Sequence, residues 1–227
     1  MTDITVFLPM RSGSQRVKNK NTKLFAGIEG GLSYIKISQL LKVEKVTKII
    51  ISTDDEDVIN IAQSFKSNKI VIDDRPKYLA NSKTSTDDLI KYGGSLIDKG
   101  VILTTYVTSP FFNERIYSQA IETYLRNLQI NDSLMSVTKI QKFIWDKEKP
   151  INYDPSKEKW PRTQTIDPLY EINSGVFLID ADIYKKENDR VGKNPFFFEI
   201  SGKEAFDIDW PENFEIAEVL WGKYGEI

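Results

Sequence analysis

Apolar positions along the chain follow two alternating rhythms. Short β-branched runs at 5–8, 46–52, 70–72, 101–107, 134–137 and 176–179 have the length and composition of buried strands. Between them, segments 32–43, 57–65, 86–97 and 114–128 place apolar residues three and four apart, the spacing of one helical face. Val58, Ile59, Ala62 and Phe65 share such a face, as do Ile116, Ala120, Tyr124 and Leu128. Thr53 followed by Glu56 reads as a capping box opening the second helix. Pro211 and Glu212 suit the first turn of a last helix reaching about Trp221. Strand–helix alternation predicts an α/β domain with a mostly parallel sheet, binding ligands at the carboxyl ends of its strands. At 227 residues it fits a single domain, 1–227. Section 138–167 breaks the rhythm: Phe143, Trp145, Tyr153 and Trp160 stand among Lys, Glu and Pro. It reads as an inserted lobe making partner contacts, or as an ordinary long surface loop.

Composition narrows the chemistry. The chain has no Cys and no His, which excludes disulfides, thiolate nucleophiles, zinc fingers and imidazole bases. Any metal must take oxygen ligands, which favours Mg²⁺, Mn²⁺ or Ca²⁺. A net charge of -2 gives no general pull toward nucleic acid or an anionic membrane. No segment approaches the roughly 18 apolar residues of a membrane span. The apolar run at 4–8 follows Asp3 and lacks a cleavage site, so it reads as a strand rather than a secretory signal. A cytoplasmic address is the expectation consistent with this composition.

Against that neutral background one stretch stands out. From Ile4 to Ile28 no acidic residue occurs, while Arg11, Arg16, Lys18, Lys20 and Lys23 supply five cations. They follow the first strand, where an open sheet binds its ligand, and Ser12, Gly13 and Ser14 would let backbone N–H groups approach phosphate oxygens. The spacing is neither a Walker A loop nor GxGxxG. The stretch reads as a polyphosphate site, with solvated surface or RNA-backbone contact as the alternatives. Near the other end, Asp207 and Asp209 are two residues apart in extended backbone, so both carboxylates face one side and can reach one hard cation. The plainer reading is that Asp209 only helps cap the last helix. Ser52-Thr53-Asp54-Asp55 reads as a helix start, whereas Thr108-Ser109-Pro110 and Asn173-Ser174-Gly175 sit where strand ends could line a pocket.

Taken in order, these motifs resemble the acylneuraminate cytidylyltransferases and their relatives acting on other ulosonic acids. The similarity runs through Pro9-Met10-Arg11-Ser12-Gly13-Ser14-Gln15-Arg16, Lys20-Asn21, Ser52-Thr53-Asp54, Arg75-Pro76, Leu79-Ala80, Thr108-Ser109-Pro110, Arg162-Thr163-Gln164, Asn173-Ser174-Gly175 and Asp207-Ile208-Asp209. The resemblance implies a Rossmann-like sheet of the nucleotide-diphospho-sugar transferase type, paired as a homodimer through a small inserted lobe at about 138–167. It implies transfer of CMP from CTP to an acidic sugar, with Arg11, Lys20 and Asp209 catalytic. CTP would lie on Arg11, Ser12, Gly13, Ser14, Arg16, Lys20 and Asn21, and on Ala80, Asn81 and Ser82 beside the cytosine. The sugar would meet Tyr106, Thr108, Ser109, Arg162, Gln164, Asn173 and Ser174. Asp207 and Asp209 would hold Mg²⁺, with Mn²⁺ as the alternative. Departures from the family pattern include Gln15 for a lysine, Tyr106-Val107 for Gln-Pro, and Phe111-Phe112 for Leu-Arg. Tyr106, Phe111 and Phe112 would make the acceptor pocket more apolar. Other readings are a 3-deoxy-octulosonate cytidylyltransferase or other sugar nucleotidyltransferase, a nucleotide-binding partner without catalysis, and an RNA-binding module.

Overall fold

The computed structural model describes residues 2–81 and 83–226. Seven strands form one mixed sheet: β1 (Ile4–Met10), β2 (Val46–Thr53), β3 (Ile70–Asp74), β4 (Val101–Thr104), β5 (Ser133–Ile140), β6 (Leu169–Asp180) and β7 (Pro195–Glu199). Six helices accompany them: α1 (Gly31–Lys42), α2 (Glu56–Ser64), α3 (Thr86–Ser95), α4 (Glu114–Asn127), α5 (Ala181–Glu187) and α6 (Pro211–Tyr224). The strand order is β3-β2-β1-β4-β6-β5-β7. Only β6 runs against its neighbours, antiparallel to β4 and β5, and the other pairs are parallel.

Side chains pointing alternately to the two faces of β1 split the core into two layers. Ile4, Val6, Leu8 and Met10 pack with residues of α1, α2, α4 and α6, while Phe7 faces Ile90, Ala181 and Tyr184 of α3 and α5. β1 is buried throughout, as a central parallel strand covered on both faces must be. Gly31 opens α1 at φ +50°, and a Cβ there would lie 2.0 Å from the Lys23 carbonyl oxygen, so this turn requires glycine. α1 thereby begins directly beneath the basic loop.

Several elements differ from the sequence expectations. The α2 cap is Asp55, whose carboxylate accepts from the Asp57 N–H, while the Thr53 hydroxyl accepts from the Asp55 N–H instead of forming a capping box. Leu128 lies past the end of α4 and is exposed. β4 stops at Thr104, so 105–107 leave the sheet. Asn173-Ser174-Gly175 does not introduce a strand. It bulges inside the twelve-residue β6, with Ser174 at φ 56° and a register shift against β5. Thr138–Ile140 belong to β5 and pair with β6, so the irregular connection starts after them. β7 and α5 were not expected: Pro195-Phe196-Phe197-Phe198 lacks both β-branching and polar alternation. Among the described residues no helix is long and apolar enough to cross a membrane.

Candidate active site

β1 is flanked by β2 on one side and β4 on the other, and beyond these the chain continues outward in both directions. The carboxyl ends of β1 and β4 therefore bound the crevice at which an open α/β sheet takes its ligand. A pocket of about 220 Å³ lies there, walled by the end of β1, by Arg11, Ser14, Arg16, Lys20 and Asn21 of the following loop, and by Tyr106 and Thr108 after β4.

The loop is held open by bonds at its base. Parallel register sets Met10 opposite Thr53, which brings the residues just beyond both strands together. The Asp54 carboxylate accepts from the Ser12 N–H (2.8 Å) and from the Ser12 hydroxyl (2.6 Å). Arg75, 3% exposed, donates to the Ser52 carbonyl at 2.5 Å and steadies the same strand end. Asn21, also buried, donates its amide to the Arg11 carbonyl (3.0 Å), and its own carbonyl accepts from the Ser33 N–H of α1. The sequence marks Asp54 as part of a helix start and of the Ser52-Thr53-Asp54 motif but gives it no partner; the parallel register of β1 and β2 is what brings it to Ser12.

Across the pocket, the segment before α6 meets the loop. Arg16 and Asp209 form an ion pair at 2.9 Å, both about half exposed, and the Arg16 guanidinium lies 5.0 Å over the Trp210 ring. The Lys20 ammonium donates to the Ile208 carbonyl at 2.8 Å. Burial lowers the Lys20 pKa, opposed by the nearby charges of Asp209 and Asp207. Ile208 N–H donates to the Thr108 carbonyl (2.9 Å), which zips this segment to the loop after β4. Asp207, beside the Ser109 hydroxyl at 3.4 Å, has its pKa raised by desolvation despite bonds from Thr108 and Ser109. Beneath them Lys36, fully buried in α1, donates to the carbonyls of Ser109 (2.8 Å) and Phe112 (3.1 Å) and to the Tyr117 hydroxyl (2.9 Å). Nothing in the sequence reading singled out Lys36; a lysine inside an apolar helical face was its only signal.

The geometry thus brings together Arg11, Ser14, Arg16, Lys20, Asn21, Tyr106, Thr108, Ser109, Asp207 and Asp209. Other expected site residues stand apart from the pocket wall. Ser12 is turned to Asp54, and the Gly13 carbonyl accepts from Arg11 and Gln15. Asn81 closes its own turn by donating to the Tyr78 carbonyl; Ala80 precedes it, and Ser82 lies outside the described residues. Arg162 and Gln164 are exposed around a short 3-10 turn, Thr163–Thr165. Asn173 is buried, donating to the Thr138 hydroxyl and accepting from the Gly175 N–H, which leaves Ser174 at the bulge. Phe111 and Phe112 are core rather than acceptor pocket, packed on Trp221 and Tyr117 respectively.

A family model described as Cytidylyltransferase matches residues 5–224. The chain is 26% identical over 229 residues to an N-acylneuraminate cytidylyltransferase of Escherichia coli, covering 98% of this chain and 53% of that protein. It is 26% identical to a CMP-N,N'-diacetyllegionaminic acid synthase of Campylobacter jejuni, covering 97% and 95%. A pseudaminic acid cytidylyltransferase of the same species is 23% identical, at 94% coverage of both chains. The chain therefore spans about half the length of the E. coli relative and nearly all of the Campylobacter ones. In fold it is similar to a 4-diphosphocytidyl-2C-methyl-D-erythritol synthase of Anaerococcus prevotii, with a TM-score of 0.72 at 15% identity over 98% and 97% of the two chains. A CMP:2-keto-3-deoxy-manno-octonic acid synthetase complexed with CTP gives a TM-score of 0.67 at 15% identity, covering 98% and 99%.

Proposed function

The chain belongs to the cytidylyltransferase family, and from that premise we propose that it transfers CMP from CTP to a sialic-acid-like 3-deoxy-2-ulosonic acid, releasing pyrophosphate. The carrying observation is the meeting of Arg16 and Lys20 with the Asp207–Asp209 segment, which joins the basic loop to a carboxylate pair 193 residues away. The names of the relatives support a nonulosonate acceptor, since they are given for acylneuraminic, legionaminic and pseudaminic acids.

In this reaction the anomeric hydroxyl of the sugar attacks the α-phosphorus of CTP. A new bond forms from the sugar oxygen to the α-phosphorus, the bond from that phosphorus to the oxygen bridging to the β-phosphorus breaks so that the oxygen leaves with pyrophosphate, and the hydroxyl proton passes to solvent. Arg11, Arg16 and Lys20 would neutralise the triphosphate and the charge that builds on departing pyrophosphate. The pocket between β1 and β4 would hold nucleophile and phosphorus in line, so orientation supplies much of the rate. Tyr106, Thr108 and Ser109 would face the sugar.

Asp207 and Asp209 suit Mg²⁺, or Mn²⁺. They flank Ile208, whose carbonyl takes the Lys20 ammonium, and both are hard oxygen donors. No cluster of three or more metal-ligating side chains occurs among the described residues, so phosphate oxygens and water would complete the coordination. When bound, the ion polarises phosphoryl oxygens. The exposed Trp145 and Trp160 on the connection between β5 and β6 support a homodimer as part of this reading, which sedimentation of the purified chain would test.

The direct experiment is pyrophosphate release from CTP with Mg²⁺ and a panel of N-acetylneuraminic, legionaminic and pseudaminic acids and 3-deoxy-octulosonate. Release with one acceptor, abolished in Asp209→Ala, is the expected result. No release with any acceptor, despite measurable CTP binding, would overturn it in favour of a nucleotide-binding partner.

A further inference from the structure

The pocket wall after β4 carries a phenol whose hydrogen-bond partner has no part in the steps above. Tyr106 follows β4, where the chain leaves the sheet, and its side chain lines the pocket. Its hydroxyl accepts from Nη1 of Arg190. Arg190 arrives by an irregular route: α5 ends at Asn188 in the left-handed region, φ 53°, and the turn folds the chain back over β6. There the guanidinium lies 4.0 Å above the Phe177 ring, itself 1% exposed, and 5.5 Å from the Tyr106 ring.

This is an unusual place for a guanidinium. It is partly buried on an aromatic face, yet no described carboxylate forms an ion pair with it. The neighbouring Asp189 carboxylate is turned to the Val191 N–H instead. A partly desolvated cation normally has an anionic partner, and a guanidinium's fork of donors matches a carboxylate. Arg75 adds a second positive charge acting on the same phenol. Because Tyr106 accepts from Arg190, its own O–H remains available as a donor. Burial keeps that phenol protonated, raising its pKa above the ordinary value.

We infer that the Arg190–Tyr106 pair recognises the carboxylate of the acceptor sugar. Arg190 supplies the charge and fixes the ring; Tyr106 delivers the donor. The inference rests on the cytidylyl-transfer reading above, which already sets Tyr106 toward the sugar, and adds Arg190, which none of the recognised motifs contains, together with the group of the sugar that the pair reads. It predicts discrimination between an acidic acceptor and its neutral counterpart.

The test compares kcat/KM for the preferred ulosonic acid with that for its methyl ester, in the wild type and in Tyr106→Phe, Arg190→Lys and Arg190→Met. The wild type should favour the free acid by about 100-fold or more, in line with a site built to pair a polar group. Tyr106→Phe and Arg190→Met should cut that ratio at least about tenfold while the KM for CTP stays within about twofold, and Arg190→Lys should fall between. A merely structural role would lower both substrates' rates alike and leave the acid-to-ester ratio unchanged, which overturns the inference. Tyr106→Phe keeps the ring packing, so it decides the matter if Arg190→Met unfolds. If the wild type turns over no acid at all, the transfer reading itself fails and takes this element with it; if it turns over acid and ester equally, only the inference fails.

Discussion

Replacing Lys36 by Met isolates what holds the wall of the pocket. The ammonium has three donors and three acceptors at 2.8, 3.1 and 2.9 Å, with the side chain wholly buried. A chain continues from it: the Tyr117 hydroxyl pairs with Thr105, whose hydroxyl donates to the Gly175 carbonyl. The Met variant leaves the Phe112 carbonyl buried without a donor, at about 1–3 kcal/mol, and strips the Ser109 carbonyl of one of its two donors, the Phe112 N–H at 3.2 Å remaining. Relief of the lysine's desolvation offsets part of this, so a net loss of about 2 kcal/mol is expected, or about 4–8 °C in Tm for a chain of this size. Burial holds the Lys36 pKa well below 10.5, with Asp207 opposing. Between that depressed value and 10.5 the unfolded chain binds a proton that the folded chain lacks, so wild-type stability rises with pH there and is lost as pH falls through the folded pKa. The gap between wild type and Lys36→Met should therefore widen from neutral pH toward 10. Urea melts of both proteins across that range measure it. A variant as stable as the wild type would refute Lys36 as the donor that holds this wall, and a gap that narrows with rising pH would refute burial as the dominant influence on its ammonium.

Three further outcomes follow from the same geometry. Asp54→Asn removes the charged acceptor of both Ser12 bonds; the KM for CTP should rise about tenfold, a loss of about 1.4 kcal/mol, with the far-ultraviolet circular dichroism unchanged. Gly175→Ala places a Cβ 2.5 Å from the Phe112 ring, itself 0% exposed, and should cost about 1–3 kcal/mol in chemical denaturation. Arg16→Ala should leave Tm almost unmoved, since its pair with Asp209 is about half exposed, yet lower the rate of pyrophosphate release by about 100-fold; equal losses in stability and rate would contradict that assignment.

How far the sequence reaches can be followed residue by residue. β1 and β2 were legible because a central parallel strand must be apolar on both faces, and the cation-rich loop was legible because charge concentration is a local property. Asp207 and Asp209 were legible as a pair because their spacing is local too. Asp54 and Lys36 were not: their meaning lies in partners 42 residues away for Ser12 and 73 to 81 away for Ser109 and Tyr117. Phe111 and Phe112 misled for the same reason, since only the packing of Trp221 and Tyr117 shows that they face the core. β7 escaped because three phenylalanines in a row carry no period of two.

The same long-range pairing has a consequence for how the site meets its substrate. Arg16 and Lys20 are each engaged with the Asp207–Asp209 segment, one through a carboxylate and one through the Ile208 carbonyl. The basic loop is thus partly neutralised by the acids it faces. Under the proposed transfer, a triphosphate entering alone would draw the cations away from Asp209, leaving uncovered carboxylates, and a divalent cation entering alone would displace Arg16. Entering together, each would supply the charge that the other strips from the protein, so neither half would be left unpaired. That exchange suits two charge clusters that are each anchored at the base, the basic loop through Ser12 on Asp54 and the acidic segment through Ile208 on the Thr108 carbonyl. Desolvation of Asp207 sharpens the effect, since a half-buried carboxylate without a cation costs more than an exposed one.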